Sequence, residues 1–261
     1  MYKKCFKRIL DILISGLALI VLSPLFLILA IVVRINLGGP IIYKQARVGK
    51  GGKLFVLYKF RSMTNAKDKN GIDLPDEQRH TKFGKILRAT SMDELPQLWN
   101  IFKGDMSIIG PRPKVPKDML FFNKYYHGDD VRPGITGYSQ AHGRNGVSWT
   151  KRFQDDNYYV DNLSFAMDVK IFFLTIVAVF KKSNIDKEQY FYYADEMLDK
   201  GLITKSEYDT YQLKARELEA RCGMGEKLNI RDYALINERD VAVPAEIIVR
   251  NKDNNQDKKS A

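Results

Sequence analysis

Residues 9–33 read ILDILISGLALIVLSPLFLILAIVV, twenty-five residues with Asp11 as the single charge. As a helix, at about 1.5 Å per residue, the run is long enough for a hydrocarbon core about 30 Å thick. It does not read as a cleaved signal peptide. It is too long, and Arg34, Asn36 and Gly38-Gly39-Pro40 follow it instead of a small-residue cleavage pattern. Two readings remain open: a single-span anchor and a re-entrant helix–break–helix wedge. Ser23-Pro24 sits near the middle, where proline removes a backbone donor and crowds the preceding turn. The serine hydroxyl can satisfy a carbonyl freed by that break. Lys3, Lys4, Lys7 and Arg8 flank one end, and Arg34, Lys44, Arg47 and Lys50 follow the other. Cations at both ends give a span no preferred orientation, but they put both ends of a hairpin in the cytoplasm. Each half is also short, about 21 Å for 9–22 and about 16 Å for 25–35. The wedge is the favoured reading.

The rest of the chain fits around this segment. Its 261 residues are 45% hydrophobic and 28% charged, which excludes a wholly disordered chain and a multi-span membrane protein. Two cysteines, Cys5 and Cys222, and three histidines argue against a disulfide scaffold and a histidine-built metal centre. The net charge is +11, and residues 1–63 carry eleven Lys/Arg against Asp11 alone. A basic first quarter wants an anionic partner. Nucleic acid is the wrong one, because the cations straddle a lipid-compatible run instead of alternating with exposed aromatics.

Short strands are predicted at 41–43 and 53–60, joined through Gly49-Lys50-Gly51-Gly52. Residues 64–80 read as loop and 82–88 as helix. From Ser91 a helix is predicted with Leu95, Leu98, Trp99 and Phe102 on one face. Gly110-Pro111-Arg112-Pro113 reads as rigid loop, followed by helix to about 126, and Arg132-Pro133-Gly134 opens another turn. Residues 151–161 read as helix. The apolar stretch 168–182 fits either a core helix or one lying on a membrane. Residues 185–221 suggest a helical hairpin broken at Gly201, residues 227–250 two strands, and residues 251–261 a disordered tail.

Asp93-Glu94 carries the most interesting chemistry. Ser91-x-x-Glu94 has the spacing of a capping box, with Asp93 placed to favour the helix dipole. The same geometry would keep a carboxylate ionised as a nucleophile and leave its neighbour free to hold a divalent cation. Arg112, between two prolines, is either a surface arginine in a turn or a pre-ordered fork for phosphate. Lys59 and Arg61 are either phosphate-facing or solvated strand-end charges. Arg132 and Arg144, in glycine-bearing turns, are further candidate contacts for an anionic substrate. Asp155-Asp156-Asn157-Tyr158-Tyr159 suits metal or nucleotide, although a solvated helix face is the more economical reading. No P-loop, dinucleotide fingerprint, nucleophile elbow or zinc-protease motif occurs.

Five blocks carry a family resemblance: residues 7–27, YKFRSM (58–63), SMDELPQLWNIFKGDMSIIGPRP (91–113), VRPGITGYSQAHGRNGVSW (131–149) and DNYYVDNLSFAMDVKIFFLT (156–175). With them the chain resembles the bacterial sugar transferases, the monotopic phosphoglycosyl transferases that act on polyprenol phosphate. Its length and start look most like the small members handling N,N′-diacetylbacillosamine phosphate in protein N-glycosylation. The resemblance implies transfer of a sugar 1-phosphate from a UDP-sugar to undecaprenyl phosphate, with release of UMP and a requirement for Mg²⁺. It implies Asp93 as covalent nucleophile, Glu94 as metal ligand or dyad partner, Arg112 as a phosphate contact and Lys59 as a further site member. It also implies the cytoplasmic face of a bacterial inner membrane, with that membrane's lipid and downstream glycosyltransferases as partners.

The expected fold is α+β and predominantly helical. A re-entrant membrane helix over 1–36 breaks at Ser23 and Pro24. A catalytic domain with a small β-hairpin spans 37–182, an appendage 183–250 and a tail 251–261. The rival readings are a membrane-surface scaffold, with Asp93-Glu94 only a cap, and an anchored glycosyltransferase releasing UDP.

Overall fold

The computed structural model describes residues 2–69, 74, 76–120, 126–143, 149–180 and 193–233. Within them the protein is mostly helical with little sheet. It forms two compact units, neither continuous in sequence: residues 1–45 with 56–108, and residues 46–55 with 109–261.

The first unit opens with a π-helical turn, Tyr2–Phe6, which runs into α1 (Lys7–Val21). The helix α2 (Ser23–Leu37) follows, with Pro24 in its first turn, where a missing N–H costs little. The break bends the pair by 63°. Ser23 Oγ donates to the Ile20 carbonyl at 2.8 Å, so the proline-side break leaves that acceptor satisfied. No single described helix is long and apolar enough to cross a membrane, but the bent pair together has the length and composition.

The two helices bury opposite kinds of residue. The helix α2 buries Leu29, Val33 and Leu37, spaced four apart on one face, against Phe60 and Leu87. The helix α1 buries Asp11 and Ser15, while Leu13, Leu17 and Ile20 are exposed. Its polar stripe is the docking face. Asp11 Oδ1 accepts from Ser107 Oγ and from the Ile108 N–H, both at 3.0 Å. Arg8 donates to the carbonyls of Ile101 and Phe102 at 2.6 and 2.8 Å. A charge inside an apolar run is thereby paired, and the apolar side chains face outward.

The strands β1 (Ile42–Val48) and β2 (Leu54–Phe60) pair as a hairpin. Short α3 (Asp76–Arg79) lies in the segment read as loop, and α4 (Lys82–Ala89) follows. Beyond α4 the single helix expected from Ser91 is two pieces: a 3₁₀ turn, Met92–Glu94, then α5 (Gln97–Lys103), which starts at Pro96. The restart changes the phase. Gln97, Asn100 and Ile101 are buried, whereas Trp99 and Phe102 are exposed and stacked on each other at 5.9 Å. The apolar face predicted through Trp99 and Phe102 therefore points outward. The unit ends at residue 108, within strand β3 (Ser107–Ile109).

In the second unit the hairpin tip turns through Lys50–Gly52, with Gly51 and Gly52 at φ +67° and +79°, a region that favours glycine. The expected helix to residue 126 is short: α6 (Pro116–Met119) ends within the described residues. Strand β4 (Gly134–Thr136), α7 (Tyr138–Gly143), α8 (Trp149–Asp161) and α9 (Phe165–Phe180) follow. On α9, Ile171 and Asp168 are buried while Phe165, Phe172 and Phe173 are exposed.

The segment past residue 192 forms a helical hairpin, α10 (Tyr193–Asp199) and α11 (Lys205–Gly223), turned at Gly201 with φ +67°. Met197, Ile203, Tyr211 and Leu218 are buried, whereas Leu202 and Leu213 are exposed. Asp118 Oδ1 of α6 accepts the Tyr193 N–H at 2.9 Å, where α10 begins. The two strands expected over 227–250 reduce, among the described residues, to one bridge. Asn229 pairs with Lys53, and the Leu54 N–H donates to the Leu228 carbonyl at 2.9 Å. Ile230–Tyr233 then coils as a 3₁₀ turn that buries Ile230. Residues 234–261, including the expected disordered tail, lie outside the described residues.

Candidate active site

In the first unit, Lys59 and the Asp93-Glu94 pair are brought together by a buried amide. Asn100, fully buried on α5, accepts the Tyr58 N–H at 3.1 Å and donates to the Val56 carbonyl at 2.7 Å. Leaving such groups unpaired would cost about 1–3 kcal/mol each, so the register of β2 against α5 is firmly set. Lys59, the next residue along β2, reaches Glu94 Oε1 at 2.7 Å. Both side chains of this pair are 17% exposed. Asp93 is buried.

The capping-box reading of Ser91 does not hold. Ser91 has φ +56° and makes no side-chain capping bond. Its N–H donates back to the Arg88 carbonyl at 3.0 Å, so it serves the C-terminus of α4, where a left-handed residue is common. Asp93-Glu94 consequently sits on a one-turn link between two helices. A non-glycine residue in the left-handed region costs roughly 1–2 kcal/mol and persists only where its surroundings fix it.

Arg61 lies two residues past Lys59 and has a different fate. It is buried, and its guanidinium donates to the Leu37 carbonyl at 2.9 Å and to the Gly39 carbonyl. It locks the end of α2 to the end of β2. Arg88, which the sequence reading passed over, donates to Ser62 Oγ at 2.9 Å and to Met63 Sδ at 3.1 Å. The only sequence signal for it was a cation in the last turn of α4.

Arg112 and Arg132 belong to the second unit, on two loops that interlock through glycines. The Gly110 N–H donates to the Thr136 carbonyl and the Gly134 N–H to the Pro111 carbonyl, both at 2.9 Å. A Cβ on Gly134 would lie 2.1 Å from the Gly110 nitrogen, so only glycine fits. Arg112 is exposed between the buried prolines Pro111 and Pro113. Arg132 is half-buried. Arg144 lies outside the described residues.

Asp155 and Asp156 correct another expectation. They are buried on α8 and do not form a solvated face. Asp156 accepts from Lys114 Nζ at 2.7 Å, Ser139 Oγ at 3.1 Å and Tyr126 OH at 3.4 Å. Asp155 takes Lys151 at 2.6 Å. Burial beside Asp156 pushes the Tyr126 hydroxyl far above its usual range. With its acceptors filled, Asp156 holds the loop after Arg112 in place; removing one partner of such a buried pair costs about 3–5 kcal/mol.

Among the described residues no cluster of three or more acidic, histidine or cysteine side chains could hold a metal. Mg²⁺ needs no such cluster. It usually takes one or two carboxylates and completes its shell with substrate phosphate oxygens and water. The adjacent Asp93 and Glu94 fit that donor set.

Comparison with known proteins bears directly on these residues. The family model for bacterial sugar transferases matches residues 2–182. The chain is 45% identical over 182 residues to the uncharacterized sugar transferase EpsL of Bacillus subtilis, covering 69% of this chain and 90% of that protein. It is 39% identical to the UDP-glucose:undecaprenyl-phosphate glucose-1-phosphate transferase of Klebsiella pneumoniae, covering 71% of this chain but 41% of the relative. It is 40% identical to the UDP-N-acetylgalactosamine-undecaprenyl-phosphate N-acetylgalactosaminephosphotransferase of Aeromonas hydrophila, covering 65% of this chain and 42% of the relative. Two of these relatives thus match over less than half their length, while EpsL matches over nearly all of its own. The matched region holds every candidate residue from Ser23 to Arg144, and the chain belongs to the bacterial sugar transferase family.

Proposed function

We propose that this protein transfers a sugar 1-phosphate from a UDP-sugar to undecaprenyl phosphate and releases UMP. The observation that carries the reading is the Lys59–Glu94 pair beside buried Asp93, in a chain of this family. The named relatives from Klebsiella and Aeromonas supply the acceptor and the kind of donor.

Asp93 is the nucleophile. Its carboxylate oxygen attacks the sugar-linked phosphorus of the donor, the bond from that phosphorus to the UMP oxygen breaks, and UMP leaves with the electron pair. The phosphosugar is then an acyl phosphate on Asp93. A phosphate oxygen of the prenol attacks the same phosphorus and expels the carboxylate, giving the prenyl diphosphate sugar. Dividing the transfer in two keeps both anionic substrates out of one transition state. Lys59 holds Glu94, and so fixes the turn that presents Asp93. Arg112, in the second unit, is assigned to a phosphate oxygen by the family resemblance and by its place between two prolines, which make it a pre-ordered fork. Mg²⁺, held by Glu94 and Asp93, would offset negative charge on the phosphates.

The bent pair α1–α2 is read as a re-entrant wedge on the cytoplasmic face of the inner membrane. Support comes from its 63° bend, the cations at both ends and the outward apolar side chains of α1. A wedge of that kind keeps the enzyme at the headgroup plane, where a prenol phosphate resides.

The relatives named here differ in the sugar they carry, so the test is a donor panel. UDP-glucose, UDP-galactose, UDP-N-acetylgalactosamine and UDP-N,N′-diacetylbacillosamine are each supplied with undecaprenyl phosphate, and the released nucleotide is identified. Acceptor-dependent UMP from one donor supports the reading, and release of UDP refutes it.

A further inference from the structure

The second unit contains a cleft whose walls include Arg112, Pro113, Tyr126 and Asp129, together with Val48 and Gly49 from the hairpin tip. Asp129 is the only carboxylate among its described lining residues. It is 7% exposed, and its Oδ1 is buried without a hydrogen-bond partner among the described residues. Its other oxygen accepts from Arg231 Nη2 at 2.8 Å. Lys114, also in the lining, is already neutralised by Asp156. The other charged side chains in the described lining are Arg112 and Asp129, and Asp129 is opposed by Arg231.

Arg231 lies beyond residue 182, where the family match ends. It is not a wandering surface arginine. Its N–H donates to Asn229 Oδ1 at 3.0 Å, and Asn229 Nδ2 donates to the Gly51 carbonyl at 3.1 Å. The fit is close: a Cβ on Gly52 would come within 2.5 Å of Asn229 Oδ1 and 2.9 Å of Arg231 Cγ. With the Leu54–Leu228 bond, the C-terminal segment grips the hairpin tip while Arg231 reaches the turn Gly128–Asp130. It thus joins two walls of the cleft.

We propose that Arg231 is a positioning residue of an anion site at the mouth of this cleft: by neutralising Asp129 it lets a phosphate sit there against Arg112. The segment after residue 192 is then a working part of donor binding. The physical reason is simple. A buried carboxylate with no counter-charge repels a phosphate brought beside it, and the repulsion is poorly screened where water is excluded. The inference rests on reading Arg112 as a phosphate contact.

The test measures UDP binding to the full-length protein in lipid nanodiscs, with donor kinetics alongside. Arg231→Ala should weaken UDP binding about 5- to 20-fold, a typical size for losing the counter-charge of a buried carboxylate. The donor KM should rise by more than kcat falls. Arg231→Lys should keep most of the affinity. Adding Asp129→Asn to Arg231→Ala should recover most of the loss, which a purely structural role of Arg231 would not allow. Unchanged binding in Arg231→Ala, or a loss that Asp129→Asn fails to recover, overturns the proposal. If Arg231→Ala does not fold, Asp129→Asn alone decides: it should bind UDP more tightly, and equal or weaker binding overturns the proposal. Arg112→Ala separates the two readings. If it leaves UDP binding intact, the phosphate-contact reading itself has failed. If it weakens binding while Arg231→Ala does not, only the role of Arg231 has failed.

Discussion

Ser91-x-x-Glu94 and Thr204-x-x-Glu207 share one sequence pattern and take opposite structures. At 204 the box closes. Thr204 is extended, its Oγ1 accepts the Glu207 N–H at 3.2 Å, and Glu207 Oε2 accepts the Thr204 N–H at 2.8 Å. Glu207 also accepts from Thr204 Oγ1 at 2.9 Å. At 91 the backbone is left-handed, the box stays open, and Glu94 turns to a lysine thirty-five positions upstream. The local rule is followed at 204, where the glutamate bonds back to its own cap. It is not followed at 91, where Ser91 instead closes the end of α4 and leaves Glu94 to pair with Lys59. Such a break marks a place where stability has been traded for something else, and sites of chemistry are where such trades are expected.

The largest effect that would sharpen this contrast is at Asp93. Asp93→Asn should lower UMP release by at least about 10³-fold, as loss of a covalent nucleophile does, with the melting temperature nearly unchanged. Activity within tenfold of wild type would make the open box an accident of folding. Next comes Lys59→Met, expected to cost about 10- to 100-fold in kcat while changing stability by less than about 1 kcal/mol, because the pair is only part-buried. A loss of stability with normal kcat would make Lys59–Glu94 a strut.

A third acid beside a helix start, Asp118, extends the comparison to pH. Burial pushes its carboxyl up to about 7, against the pull of Lys117 and of the Ala194 N–H. Its unfolded pKa is near 3.8, so between roughly pH 4 and 7 the folded state holds more protons than the unfolded one. Stability from this group should therefore fall as pH rises through that window. Asp118→Asn keeps an acceptor for Tyr193 and should flatten the slope; an unchanged slope in thermal melts would contradict the assignment.

Two smaller effects test the boxes themselves. Thr204→Ala should destabilise by about 1 kcal/mol and leave UMP release alone. Ser91→Gly should stabilise slightly, by about 0.5 kcal/mol, since glycine accepts a positive φ. If Ser91→Gly costs as much as Thr204→Ala, Ser91 is a working cap after all.

What could be read in the sequence follows the same division between local and distant causes. The Ser23-Pro24 break, the glycine turn of the hairpin and the Gly201 turn are dictated by residues adjacent in the chain, and each is where it was expected. The phase of α5 was not legible, because Pro96 restarts the helix and Asn100 is buried by its bonds to Val56 and Tyr58, residues of a distant strand. Asp155-Asp156 looked solvated because Lys114, Ser139 and Tyr126 are remote in sequence. Among the candidate residues, Asp93-Glu94 and Arg112 stood out by pattern. Arg61 did not betray that it would be buried against the carbonyls of Leu37 and Gly39. Nor did the charged segment after residue 192 show that it would end on the hairpin tip.

The most direct measurement is intact-protein and peptide mass spectrometry after mixing the enzyme, without acceptor, with the UDP-sugar that the donor panel selects. The account predicts a phosphosugar adduct on Asp93 that disappears when undecaprenyl phosphate is added. No adduct on that side chain, with kinetics requiring donor and acceptor bound together, would contradict it.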